Sequence, residues 1–142
     1  MRILLAFFLF IALINQSIAS SCYLPKSIEG KTILIRANGM YSPLNSLAES
    51  VIEYVFKQKS YTVTILNTRK VNKGVYSYRR LNPMLARFSV ISGEGESLTL
   101  YSQTLVCETN NIGYSIISQT KGTYKPDIKQ NFGVFIIQDE GN

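Results

Sequence analysis

The residue types that most often carry catalysis are scarce in this chain. It has no histidine, which removes Ser-His-Asp and Cys-His arrangements and the commonest zinc ligand sets. Its only cysteines, Cys22 and Cys107, lie 85 positions apart and offer no metal-ligand spacing, so neither a metal nor another cofactor is expected. Paired carboxylates do acid–base work in many enzymes, and Glu94 and Glu96 are close in sequence. They stand in Gly93-Glu94-Gly95-Glu96, however, which reads as a hairpin tip where solvated carboxylates are ordinary. The chemistry points to a non-catalytic protein.

Charge is distributed unevenly. No acidic residue falls between Glu53 and Glu94, while Lys57, Lys59, Arg69, Lys70, Lys73, Arg79, Arg80 and Arg87 all do. If these positions lie on neighbouring strands, Arg69, Lys70, Lys73, Arg79 and Arg87 form a basic surface that attracts anionic partners. A solvated edge kept soluble by cations is the plainer alternative. Tyrosines interleave with the cations: Tyr76, Tyr78 and Arg80 share one face of an extended run, and Val75, Ser77 and Arg79 share the other. With the tyrosines inward, Arg80 is positioned to anchor a carboxylate or phosphate head beside two phenols; Arg36 is the other cation counted with this candidate ligand site. With the tyrosines outward, the same residues make an aromatic-basic surface for an acidic protein or glycan. Basic residues with aromatics also suit single-stranded nucleic acid, but export argues against that partner.

Export is read from the first residues. Arg2 precedes an apolar run, Ile3 to Ile14, and a small-residue stretch, Ser17-Ile18-Ala19-Ser20, follows. This is the layout of a secretory signal peptide over 1–20. The run is too short for a spanning helix, which wants about 20 apolar residues. The remainder, 21–142, is long enough for one core and too short for two domains. A secreted or periplasmic location follows, and in an oxidising compartment two cysteines favour a Cys22–Cys107 disulfide. The alternative is lipoprotein anchoring through Cys22, with Ile18-Ala19-Ser20-Ser21-Cys22 as a permissive lipobox.

The elements that must position these residues are strands. Period-2 alternation with β-branched and aromatic residues runs through Lys31–Arg36, Val51–Lys57, Ser60–Ile65, Gly74–Leu81, Leu85–Ser92, Ser97–Cys107, Gly113–Thr120 and Phe132–Gln138. Turn residues separate the runs, among them Asn72-Lys73-Gly74, Asn82-Pro83 and Asn110-Asn111. Strands so closely spaced predict an all-β, eight-stranded, up-and-down antiparallel barrel, since closure removes sheet edges; a β-sandwich is the alternative. The more apolar faces place Ile52, Tyr54, Phe56, Tyr61, Val63, Ile65, Phe88, Val90, Leu98 and Leu100 in the core. The long link from Ala37 to Ser50 predicts one short helix over Ser42–Glu49, with Ser42 as N-cap and Pro43 at its first position. That link is either a lid or a plug.

The strand order, with Gly30-Lys31-Thr32 at the first strand and Gly-x-aromatic at Gly74-Val75-Tyr76, Gly122-Thr123-Tyr124 and Gly133-Val134-Phe135, resembles small calycin-like barrels. These include the lipocalins and the barrel domain of the molybdenum cofactor biosynthesis protein F family. Two features depart from lipocalins: the chain has no tryptophan, and its last arginine is Arg87, leaving no late barrel-closing arginine. The resemblance implies the barrel architecture alone; with Arg80 beside inward tyrosines, the chain reads as an exported binding barrel for a small amphipathic or anionic molecule. A secreted interaction protein, such as an inhibitor or host-directed factor, is the alternative. An eight-stranded lumen is either filled by side chains or holds one small ligand.

Overall fold

Alternating side chains put one face of each run inward, and the chain closes on itself to bury that face. The computed structural model describes residues 22–43, 45–122 and 126–139; the leader read at 1–20 lies outside them. The strands are β1 (Lys31–Ala37), β2 (Val51–Phe56), β3 (Ser60–Ile65), β4 (Lys70–Asn82), β5 (Leu85–Ser92), β6 (Thr99–Cys107), β7 (Ile112–Lys121) and β8 (Lys129–Asp139). Each pairs antiparallel with the next, and β1 pairs with β8, so the sheet is a closed barrel and not a sandwich. Among the described residues no helix is long and apolar enough to cross a membrane.

The core is built largely from the expected faces. Ile52, Tyr54, Phe56, Tyr61, Val63, Phe88 and Val90 are buried, together with Ile33, Ile35, Leu105, Phe135 and Ile137. Aromatic rings pack edge-on through its centre: Phe56 lies 4.8 Å from Tyr76 and 5.2 Å from Phe88, centroid to centroid, a favoured geometry for ring quadrupoles. The expected face of β6 is corrected. Leu98 follows a single 3-10 turn, Gly95–Ser97, and precedes the strand. Leu100 stands opposite the exposed Ile91, while Gln103, Leu105 and Cys107 are buried. Both faces of β6 carry apolar residues, so apolar content alone does not fix which one points inward. The disulfide and the packing of Tyr101 against the core turn the odd-numbered face inward.

One end of the barrel is sealed by the segment that precedes β1. Leu24 and Ile28 are 1% and 0% exposed. Leu24 N donates to Pro83 O at 2.8 Å, in the β4–β5 turn, and Gly30 N donates to Phe56 O at 3.0 Å, at the end of β2. Cys22 is disulfide-bonded to Cys107 at the end of β6, with Cα atoms 5.9 Å apart. The segment thus crosses from β6 past β4 to β2, with Leu24 and Ile28 in the core beneath it. The ends of the strands are tied at the same rim by an ion pair between Lys31 and Asp139.

The described residues of Ser42–Glu49 do not form the expected helix. The described residues of that link form successive turns with three-residue spacing: Asn45 N to Ser42 O, Ala48 N to Asn45 O and Ser50 N to Leu47 O. The buried Asn45 explains the difference. Its side-chain nitrogen donates to Asn38 O at 2.9 Å and Met40 O at 2.6 Å, and its oxygen accepts from Asn131 of β8. An asparagine that bonds nearby backbone in this way competes with helical bonding. Glu49, at φ +60°, then turns the chain into β2.

Candidate functional site

The open end of the barrel holds a cavity of about 270 Å³. Its walls are Ile52, Val63, Ile65 and Ile117, with Leu47 from the long β1–β2 link completing one side. Lys70, Asn72, Ser92, Gly93, Ser97 and Thr99 form the rim, and Tyr54, Tyr61 and Tyr101 lie beneath. The link therefore contributes a wall to the mouth through Leu47. Of β7 only Ile117 is among these walls; Gly113, Ser115 and Gln119 are its buried positions, while Tyr114 and Ile116 are exposed.

The cavity floor is polar. Tyr101 Oη donates to Tyr54 Oη at 3.2 Å, and Gln103 Nε2 donates to the same oxygen at 3.5 Å. Tyr61 neighbours Tyr101 without the geometry of a hydrogen bond; its hydroxyl and Gln103 Oε1 are buried with no hydrogen-bond partner. Burial raises the Tyr54 phenol above its ordinary value, against smaller lowering by its bonds to Tyr101 and Gln103. Burial, and then the neighbouring phenols Tyr54 and Tyr61, hold Tyr101 well above it. These two groups are neutral across the physiological range. Tyr61 is placed by its cross-strand partner: it pairs with Gly74, where a Cβ would meet Ile91 O at 2.2 Å and the Tyr61 ring at 3.0 Å. Only glycine leaves the ring space to lie against β4.

The residues singled out from the sequence separate into three places. Tyr76, Tyr78 and Arg80 of β4 do face inward, alternating with the exposed Val75, Ser77 and Arg79. They lie toward the sealed end, where Tyr78 Oη donates to Pro25 O at 2.6 Å and Arg80 Nη1 donates to Leu24 O at 3.1 Å. Burial pushes the Tyr78 phenol up to about 12, opposed by the Arg80 charge, and burial followed by Glu29 raises Tyr76. Arg36 does not join them: it is exposed on β1 between Val51 and Val134, because the buried Ile35 and Ala37 take the inward positions beside it.

The basic residues are exposed, and they spread along the barrel. Arg69, at φ +55°, and Lys70 are at the β3–β4 turn by the mouth; Lys73 follows; Arg79 and Arg87 face each other across β4 and β5 toward the sealed end. Arg87 Nε donates to Thr104 Oγ1 at 3.2 Å. Consecutive strands do place these cations on one side, but strand length separates the mouth group from the Arg79–Arg87 pair.

Tyr101, Gln103 and Leu47 are site residues that the sequence did not single out. The sequence signal available for the floor was Tyr61 opposite a glycine in the next run, joined by a third inward tyrosine on β6. No protein-family model, curated protein or solved structure matches the chain. The agreement with calycin-like barrels is therefore one of architecture.

Proposed function

We propose that the protein is an exported, non-catalytic binding barrel that takes a small amphipathic molecule into the cavity at its open end. The observation that carries this reading is a cavity of about 270 Å³ with apolar walls and a few convergent polar groups, the composition typical of small-molecule sites. Its size is near the lower limit of such pockets, roughly 300 Å³. A compact ligand, or one end of a longer one, fits it. The sealed opposite end supports a single route of access. Export is supported by the Cys22–Cys107 disulfide, since such bonds persist in oxidising compartments.

A ligand head at Arg80 has less support than one at the mouth, because the Leu24 carbonyl already occupies that guanidinium. The alternative of a basic-aromatic interaction surface loses its aromatic half, because the β4 tyrosines face inward.

Native mass spectrometry of protein purified from its own source tests the reading. A retained small molecule is expected, and Ile65→Trp, which fills the mouth, is expected to abolish it. Retention that is unchanged by Ile65→Trp overturns the assignment to this cavity, and so does a bare protein that also fails to bind small aromatic probes.

A further inference from the structure

The floor of the cavity has more hydrogen-bond donors than it uses. Tyr101 Oη donates its proton to Tyr54 Oη at 3.2 Å. Gln103 touches the Tyr54 oxygen at 3.5 Å, and its amide satisfies that oxygen or its proton depending on which way the group is turned. The oxygen beside the Tyr61 hydroxyl is Tyr101 Oη, which already donates to Tyr54 and does not meet Tyr61 with hydrogen-bond geometry. The Tyr61 hydroxyl is without a hydrogen-bond partner, its residue is 2% exposed, and the side chain lines the cavity. A buried hydroxyl without a partner is costly, whereas one that meets an acceptor only on binding gives selectivity to the binding step.

The second constraint is charge. The groups at the floor are three phenols and an amide, and among the described residues the cation lining the cavity is Lys70, exposed at the rim. A carboxylate or phosphate carried to the floor would lose its hydration with no positive charge to replace it, a far greater loss than one phenol donor returns. A neutral oxygen keeps the benefit and avoids that loss.

We infer that the cavity selects a neutral ligand with an apolar body and a single acceptor oxygen, a ketone, aldehyde, ether or alcohol, which enters oxygen-first and accepts a hydrogen bond from Tyr61. This rests on the reading of the cavity as a binding site. Tyr61 is its specificity-determining residue, and Gly74 is the position that lets its ring stand there. The ligand's polar end is therefore the buried end, and its apolar end faces Leu47 and the mouth.

Three probes of equal non-hydrogen atom count separate the possibilities: acetophenone, α-methylstyrene and benzoate. Their dissociation constants are measured by ligand-detected NMR on the disulfide-intact protein, and on Tyr61→Phe and Tyr101→Phe. In the unaltered protein acetophenone is expected to bind at least about 100-fold more tightly than benzoate. In Tyr61→Phe the ratio of acetophenone to α-methylstyrene affinity is expected to fall about tenfold, as for loss of one hydrogen bond to a buried partner, with α-methylstyrene itself bound at least as well as before. Tyr101→Phe, which retains Tyr61, is expected to keep most of that ratio. If the ketone and the alkene both bind and their ratio is the same in Tyr61→Phe, the cavity is a binding site but the donor inference is overturned. Benzoate binding that depends on Lys70→Gln and not on Tyr61→Phe overturns it in favour of an anion held at the rim. If none of the probes binds any of the three proteins, the cavity reading fails together with the inference.

Discussion

Arg80 directs a guanidinium nitrogen at the carbonyl oxygen of Leu24, 3.1 Å away, across 56 residues of sequence. With Tyr78 bonded to Pro25 one residue further on, β4 grips two consecutive carbonyls of the segment that seals the barrel. An inward cation beside two phenols is thus used to hold the chain's own backbone. Arg80→Ala is expected to lower stability by about 1.5–3 kcal/mol, as for hydrogen bonds to charged groups, and to leave probe binding at the mouth unchanged. Denaturant midpoints set beside acetophenone affinities check both parts; a large loss of affinity in a well-folded variant would return Arg80 to the ligand site.

The same segment is anchored at its other end by the disulfide. In the chain-entropy model, a bridge with a separation of 85 residues is worth about 4–5 kcal/mol. Replacing Cys22 and Cys107 by Ser is expected to cost an amount of that order. Leu24 and Ile28 should leave the core before the strands open, so hydrogen exchange at Leu24 N should rise well ahead of global unfolding. Simultaneous loss of protection in the segment and in β5 would refute the order proposed.

Alkaline titration has a defined sign. Folding raises the phenols of Tyr54, Tyr76, Tyr78 and Tyr101, with Tyr78 pushed up to about 12. The unfolded chain ionises these groups near 10 and so releases their protons first. Their contribution to stability is full below about pH 10 and is lost as pH rises toward the folded values. Phenolate absorbance is expected in two phases, the later one coinciding with loss of near-ultraviolet circular dichroism. A single phase near pH 10 in a still-folded protein would count against burial of the floor.

The face of β6 is open to a direct test. Leu105 is 0% exposed, whereas Leu100 stands opposite the exposed Ile91. Leu105→Ala is expected to cost about 2–5 kcal/mol, and Leu100→Ala considerably less. Equal costs would mean that the strand sits one residue out of the register described.

That strand also marks the boundary of what the sequence made legible. Alternation and turn residues identified eight strands because a one-sided core leaves a period-2 record wherever the opposite face is polar. On β2 and β3 the record is clean, and Ile52, Tyr54, Phe56, Tyr61 and Val63 are buried as expected. On β6 both faces are apolar, and long-range contacts of Tyr101 and Cys107 decide between them. The Ser42-Pro43 helix signal is local, whereas the bonds of Asn45 reach Asn131 on the last strand, a contact without a local trace. Leu24 and Ile28 are isolated apolar residues with no periodicity. Their burial follows from the disulfide and from Arg80, so the sealed end was hidden in the sequence.

Closure of the barrel has a consequence for how the molecule assembles. Seven of its eight strand pairings join neighbours in sequence, but the eighth runs from Lys31↔Asp139 to Ala37↔Gly133 and brings together opposite ends of the chain. The hairpins can zip at small entropic cost, while this seam must close a loop of nearly the whole chain. The seam is therefore expected to form after the folding barrier and to open early on the way out. Weakening it, for instance by Ile137→Val, is expected to steepen escape from the native state while the refolding arm of the chevron barely moves. A barrel drawn as eight equivalent staves is, in time, seven that assemble and one that latches.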